Sequence, residues 1–215
     1  DIAITGALTI TGNNRSSIGC LGGYICRQGD VGGGVDKWVN NSGGIQFTAT
    51  GIHIGQGEGS KVSITGRQVG GLVGMYKSGT LGTNRFTITI GQIHQQNITL
   101  TSNTADGSVS GLVGVLCKAP AVIANDIGLS GNQITGSGPV ALLFALADNQ
   151  VGNTQLTIDV KNVEATDCTV ASTNNQNSNV GFLYGQYKDK DGKGSVNGYN
   201  ILISGSSITG TNQAA

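Results

Sequence analysis

Residues 69–74 read Val-Gly-Gly-Leu-Val-Gly, and residues 109–114 repeat this anchor as Val-Ser-Gly-Leu-Val-Gly. Looser copies stand at residues 18–23 and 180–185, and a copy without glycine, Val-Ala-Leu-Leu-Phe, stands at residues 140–144. A short apolar unit that recurs along one chain indicates a repeat architecture. The anchor leucines are expected at Leu21, Leu72, Leu112, Leu142 and Leu183.

A second signature, the tripeptide Ile-Thr-Gly, closes the stretch before an anchor. It stands at residues 10–12, 64–66 and 134–136, and again at residues 208–210 near the end of the chain. Between anchor and tripeptide, β-branched residues alternate with polar ones, which is typical of β-strands. Each unit is therefore predicted to contain an anchor strand, a variable loop, a further strand, a short turn and the closing tripeptide.

These units predict an all-β chain folded as one parallel β-solenoid (β-helix), right-handed, with about five irregular coils. Equivalent residues of successive coils are expected to stack about 4.8 Å apart, with Ile, Val and Leu inward. A single domain is expected over residues 1–215, with repeat units at about 18–68, 69–108, 109–138, 139–179 and 180–215. Half-units at both ends predict a segment of a longer array, or a chain that stacks on another chain.

Composition excludes several function classes. Charged residues make up 11% of the chain, against about 25% in ordinary domains, and Lys+Arg and Asp+Glu are both 12. Zero net charge argues against nucleic-acid binding, and no apolar run is long enough to predict membrane insertion. The four cysteines have no spacing typical of zinc sites. Buried free thiols are favoured, and a Cys20–Cys26 bridge is the alternative.

The anchors at residues 69–74 and 109–114 resemble the glycine-leucine-glycine (GLUG-type) repeats of large secreted and cell-surface β-solenoid proteins, which include bacterial adhesins and protist surface proteins. This resemblance implies an extracellular stalk or adhesive segment and carries over no catalytic residue. We therefore expect a non-enzymatic, extracellular building block of a surface stalk, adhesin or filament, with no cofactor and no metal. The expected partners are neighbouring solenoid segments, copies of the chain itself, or a surface glycan.

A carbohydrate-binding or carbohydrate-active β-helix is the alternative. Its acids would be Asp159 with Glu164 or Asp30 with Asp36, although such pairs are scattered here. Trp38, in a long polar insertion, is a candidate for stacking on a sugar or for sealing the core. Four basic residues that follow anchor strands are expected to form one column: Arg27, Lys77, Lys118 and Lys188. That column either keeps a coil corner soluble or contacts an anionic glycan.

Three further features are weaker signals. Triplets that begin at Asn14, Asn40 and Asn97 fit the N-glycosylation pattern. His53 and His94 are far apart in sequence, and each is expected as an isolated surface residue. Outward threonines such as Thr87 and Thr89 are similar to the flat arrays of ice-binding solenoids, which repeat threonine in one column on every coil. Here the outward column is expected to change to Asp159 and Asn200, which ranks ice binding below adhesion.

Overall fold

A computed structural model describes residues 1–26, 47–77, 87–117, 121–149, 156–174, 179–189 and 194–210. These segments form β-strands and turns without a helix, and each of their strand pairings is parallel. The predicted parallel β-solenoid is confirmed, while its handedness stays a prediction. Arg27, Trp38, Asn40 and Lys118 lie outside the described residues.

The longest sheet contains ten strands, and one long strand in its middle, Phe47–Gly66, pairs with both halves of the sheet. We call it the long sheet. Its strands are β1 (Ile2–Thr11), β4 (Phe47–Gly66), β7 (Thr87–Gln96), β8 (Ile98–Ser102), β11 (Ala121–Ser130), β12 (Gln133–Gly136), β15 (Thr157–Thr166), β16 (Thr169–Ser172), β19 (Ser195–Ser204) and β20 (Ser207–Thr209).

Two short sheets of five strands each complete the coil. One contains the first residues of every anchor: β2 (Ser17–Ile18), β5 (Gln68–Gly70), β9 (Val109–Ser110), β13 (Val140–Ala141) and β17 (Val180–Gly181). The other contains the residues that follow: β3 (Gly22–Cys26), β6 (Val73–Lys77), β10 (Val113–Cys117), β14 (Phe144–Asn149) and β18 (Tyr184–Asp189). From the first anchor to the fifth, the chain completes about four turns.

The anchors stack in register, which explains why they recur. Their first apolar residues form one column of Ile18, Val69, Val109, Val140 and Val180. Val113 pairs with Phe144, so the residue equivalent to Leu112 is Leu143. The expected Leu142 was therefore wrong by one residue, because this copy has two adjacent leucines and no glycine that fixes the alignment.

Inward residues of the long sheet supply much of the core. The column through the closing tripeptides is Ile10, Ile64, Leu100, Ile134, Val170 and Ile208. Its four central members are completely buried, and burial of each such side chain contributes roughly 1.5–3 kcal/mol. The two end members are only partly buried. Each coil thus completes the core of its neighbours.

The anchor glycines allow backbones to approach closely. A Cβ atom on Gly74 would lie 2.1 Å from the backbone nitrogen of Ile18, and one on Gly114 would lie 2.5 Å from the carbonyl oxygen of Gly74. Ala145 occupies the equivalent position of the fourth anchor and is completely buried. This position therefore accepts only the smallest residues.

A buried polar pair, Gln95 and Asn132, interrupts the apolar core of the long sheet. Gln95 lies in register between Ile54 and Leu129 and is 2% exposed. Its Nε2 donates to the carbonyl oxygen of Gly111 at 2.7 Å, and its Oε1 accepts from Asn132 Nδ2 at 3.5 Å. Asn132 Oδ1 in turn accepts from the backbone N–H of Ile98, at 3.2 Å. These bonds satisfy two backbone groups: the N–H of Ile98, which follows the short turn after β7, and the carbonyl oxygen of Gly111 in the anchor.

One column of the long sheet repeats a left-handed residue at five levels. The column is Gly51, Gln92, Asp126, Asn162 and Asn200, with φ between 52° and 67°. Three of its members are Asn or Asp, which adopt this conformation more readily than most residues, and one is Gly. Asn162 Nδ2 donates to Asp126 Oδ1 at 3.1 Å, and Asn200 Nδ2 donates to Asn162 Oδ1 at 2.8 Å. We call these three residues the amide ladder.

Candidate functional site

Two neighbouring outward columns of the long sheet carry a hydroxyl side chain at almost every level. They flank the inward column of the closing tripeptides, and we call their twelve residues the hydroxyl face. The first column is Thr9, Ser63, Thr99, Gln133, Thr169 and Ser207, and the second is Thr11, Thr65, Thr101, Thr135, Ala171 and Thr209.

The hydroxyl face is uncharged and open to solvent. Eight of its residues are threonines and two are serines, so only Gln133 and Ala171 interrupt it. All twelve residues are exposed or half-buried. In the part of the chain that the structure describes, none of their side chains takes part in a hydrogen bond. Each hydroxyl can therefore donate one hydrogen bond and accept others from a ligand.

The threonines expected to form an array lie elsewhere on the long sheet. Thr89 pairs with Ile123, which pairs with Asp159, so the predicted change to Asp159 in this column is correct. Asn200 was assigned wrongly, since it belongs to the amide ladder. The repeated array was missed because the closing tripeptide was taken as a structural signature only. The available signal was the residue two places before the Thr of the tripeptide, which carries a hydroxyl group in most units.

Two of the four basic residues after the anchors, Lys77 and Lys188, share one column, which reads Cys26, Lys77, Cys117, Asp148 and Lys188. Arg27 and Lys118 lie outside the described residues. The single basic column therefore stays a prediction, and so does a contact of this edge with an anionic glycan.

The two histidines lie together, which sequence distance concealed. His53 pairs in register with His94, and their rings stack with centroids 5.1 Å apart and planes 13° apart. His53 Nδ1 is buried and has no hydrogen-bond partner among the described residues. The next position of the column is Gly128, which supplies no third ligand. Among the described residues, no group of three or more His, Cys, Asp or Glu side chains is placed to hold a metal ion.

Asp159 and the described cysteines lie in surroundings typical of residues with a structural role. Asp159 Oδ1 accepts a hydrogen bond from Asn197 Nδ2 at 2.7 Å. Cys20, Cys117 and Cys168 are free thiols, so the alternative of a Cys20–Cys26 bridge is not formed. Burial raises the pKa of Cys20 to about 11 and also raises the pKa of Cys168. These two thiols are protonated at neutral pH and are therefore weak nucleophiles.

Two of the three glycosylation triplets can be located. Asn14 and Asn97 are both exposed. Asn97 is left-handed, with φ of 53°, and its Oδ1 would lie 2.4 Å from a Cβ atom on Gly131 in the next coil. The glycine at that position makes room for the asparagine side chain. Modification of either residue stays a prediction.

A shallow groove of about 500 Å³ borders the hydroxyl face. Residues 59–63 form one side of it, and Asn97, Thr99, Gly131 and Gln133 complete its lining. It exists because residues 55–59 bulge from the middle of β4, where Gly55, Gly57 and Gly59 all have positive φ. The lining contains one charged side chain, Lys61, so the groove has no paired acids for glycoside hydrolysis.

The fold and these surfaces define a class: a parallel β-solenoid with a patterned, uncharged outer face. Comparisons with protein families, with curated proteins and with solved structures found no match to this chain. The resemblance to GLUG-type repeats therefore stays a prediction. The described residues include no helix of the length and hydropathy that would cross a membrane.

Proposed function

We propose that this chain is a non-enzymatic building block of an extended extracellular structure, such as a surface stalk, adhesin or filament, and that it assembles by stacking head to tail. The observation that carries the proposal is that the outermost described coils expose apolar residues and strand edges that the inner coils bury. The expected extracellular location rests on the GLUG-type resemblance and on the low charge of the chain.

Both ends of the described stack present incomplete core. Ile4 and Ile203 belong to the same inward column, whose apolar members between them, such as Ile54 and Ala165, are completely buried. At the ends, Ile4 and Ile203 are only partly buried. The outer strands β1 and β19 also leave one edge of their backbone N–H and C=O groups without a strand partner among the described residues. Such edges pair readily with another chain.

The two ends match each other, which favours a second copy as the partner. The first level closes with Thr9-Ile10-Thr11-Gly12 and the last with Ser207-Ile208-Thr209-Gly210. A copy stacked on the last level would continue the same columns, as the coils within the chain do. Head-to-tail contacts of this kind do not close on themselves and generate filaments.

Sedimentation velocity and electron microscopy of the full chain test the stacking. We expect assemblies that lengthen with protein concentration into rods one solenoid wide. Ile4→Lys should block one end and Ile203→Lys the other, because inward charges prevent strand pairing. Each variant alone should be monomeric. An equimolar mixture should form dimers and no longer species, since each variant keeps one intact end.

Ser195→Lys is the matched control, because Ser195 lies on the same terminal strand β19 but is exposed and points outward. It should assemble like the original chain. Circular dichroism must show the same β-structure in every variant. A chain that stays monomeric at all concentrations, or a mixture of the two end variants without dimers, would exclude head-to-tail stacking.

A further inference from the structure

The hydroxyl face runs along the side of the solenoid from the first level to the last, and its side chains point outward from the stack. We infer that it is a binding surface for an ordered lattice of water, that is, for the surface of ice. The inference does not depend on the stacking, because every residue of the face belongs to a level within one chain.

The spacing of the face supports this ligand. Side chains of neighbouring levels are about 4.8 Å apart, and the two columns are roughly 6.7 Å apart because they are two residues apart along each strand. Six levels extend the array over about 24 Å. Oxygen atoms at the prism surfaces of hexagonal ice repeat at two distances of this size. A two-dimensional array of equal groups can match a ligand whose surface also repeats in two dimensions.

The chemistry of the face supports the same ligand. Threonine presents a methyl group and a hydroxyl group, and its β-branched side chain has few rotamers, so little conformational entropy is lost on binding. The array contains no charged group that would hold its own disordered hydration shell. It also contains no aromatic ring, which a polysaccharide site would use for stacking on sugars. The strands beneath it pair without a bulge from Val62 to Ile208.

The sequence ranks ice binding below adhesion because the column of Thr89 changes to Ile123 and Asp159. The columns of Thr9 and Thr11 keep a hydroxyl in ten of twelve positions.

Partition into a slowly growing ice front and thermal hysteresis, measured on the full chain, test the inference. We expect the chain to concentrate in the ice and to lower the freezing point below the melting point. Thr101→Lys, at the centre of the face, should reduce both effects to the level of a protein without such a face. Thr157→Lys is the control, because Thr157 is a half-buried outward threonine of β15, outside the face. It should leave both effects unchanged.

A gain of activity separates binding from loss of structure. Gln133→Thr together with Ala171→Thr completes both columns, and threonine suits a strand surface. This double variant should show a larger hysteresis than the original chain at the same concentration. Exclusion of the original chain from ice would overturn the inference, and so would equal losses in Thr101→Lys and Thr157→Lys. Binding to an insoluble polysaccharide that Thr101→Lys abolishes, without hysteresis, would assign the face to a glycan instead.

Discussion

At the scale of single residues, the anchor depends on what glycine lacks. Gly74 lies where the backbone of one coil approaches Ile18 of the coil before it. The same position is Gly114, Ala145 and Gly185 in later coils, so the repeat keeps a small residue there. The steric requirement comes from contact between coils and not from a turn conformation.

Gly74→Ala should therefore destabilise the protein. The added Cβ atom would lie 2.1 Å from the backbone nitrogen of Ile18, and backbone cannot rotate away as a side chain can. We expect a loss of roughly 1–3 kcal/mol in the free energy of unfolding, typical of overpacking. Urea unfolding followed by circular dichroism measures this loss.

Gly91→Ala is the matched control. A Cβ atom on Gly91 would meet its nearest neighbour at 3.5 Å, which is an ordinary contact, and the residue lies in strand β7. Its substitution should leave stability within about 0.5 kcal/mol or raise it slightly. Equal destabilisation by both substitutions would mean that close approach at the anchor is not what selects glycine.

At the scale of elements, the amide ladder joins three levels of the long sheet. Asn162 has φ of 52°, donates to Asp126 and accepts from Asn200. Two properties of asparagine are used here: its tolerance of the left-handed conformation and its ability to donate and accept at once. Substitutions can separate these two contributions.

Asn162→Gly should keep the conformation and lose the side-chain bonds, whereas Asn162→Ala should lose both. We expect Asn162→Ala to be the less stable of the two by about 1 kcal/mol, the cost of a left-handed residue with a Cβ atom. Thermal unfolding of both variants measures the difference. If Asn162→Ala were as stable as Asn162→Gly, the conformation would not be the property that selects asparagine.

The sequence predicts where the strands lie, but it predicts only partly which residues stack into columns across the levels. Alternation marks Ile52 and Ile54 as inward because each strand carries its own period of two. Which residues stack depends on loop lengths and bulges between levels, and residues 55–59 add several residues on one level only. The pairing of His53 with His94 and the alignment of Leu143 with Leu112 follow from that register. Placing the hydroxyl-bearing residues in two continuous columns also required the register between levels.

Buried polar contacts were beyond sequence reasoning for another reason. Gln95 stands where the alternation calls for an apolar residue, and nothing in its sequence neighbours signals burial. Its partners are the carbonyl of Gly111, in the following anchor, and Asn132, on the next level. A side chain that bonds to two other segments can be assigned only after those segments are placed.

At the scale of the whole molecule, ionisable groups buried between coils make the global stability fall at alkaline pH. Burial raises the pKa of Cys20 from 9.0 to about 11 and that of Tyr76 from 10.0 to about 12. Both groups are neutral when protonated, so the folded state keeps a proton that the unfolded chain releases. Because each coil completes the core of its neighbours, losses at single levels lower the stability of the stack.

The sign of the pH effect follows from linkage. The contribution of each group is fully present below its unfolded pKa and is lost as pH rises, between 9.0 and about 11 for Cys20 and between 10.0 and about 12 for Tyr76. Each buried group lowers the free energy of unfolding by at most about 1.4 kcal/mol per pH unit within its window.

Urea unfolding with a reductant present, repeated from neutral pH to about pH 11, should therefore show a midpoint that is level up to the unfolded pKa of Cys20, 9.0, and then falls. Cys20→Ala removes one of these groups, and Cys20 is partly buried, so its substitution leaves a small cavity at most. The urea midpoint of Cys20→Ala should be equal to or lower than that of the original chain at neutral pH. It should fall less steeply than that of the original chain between pH 9.0 and about 11. A decline parallel to that of the original chain would contradict the assignment, because the thiol would then not be held protonated by its place between the first two coils.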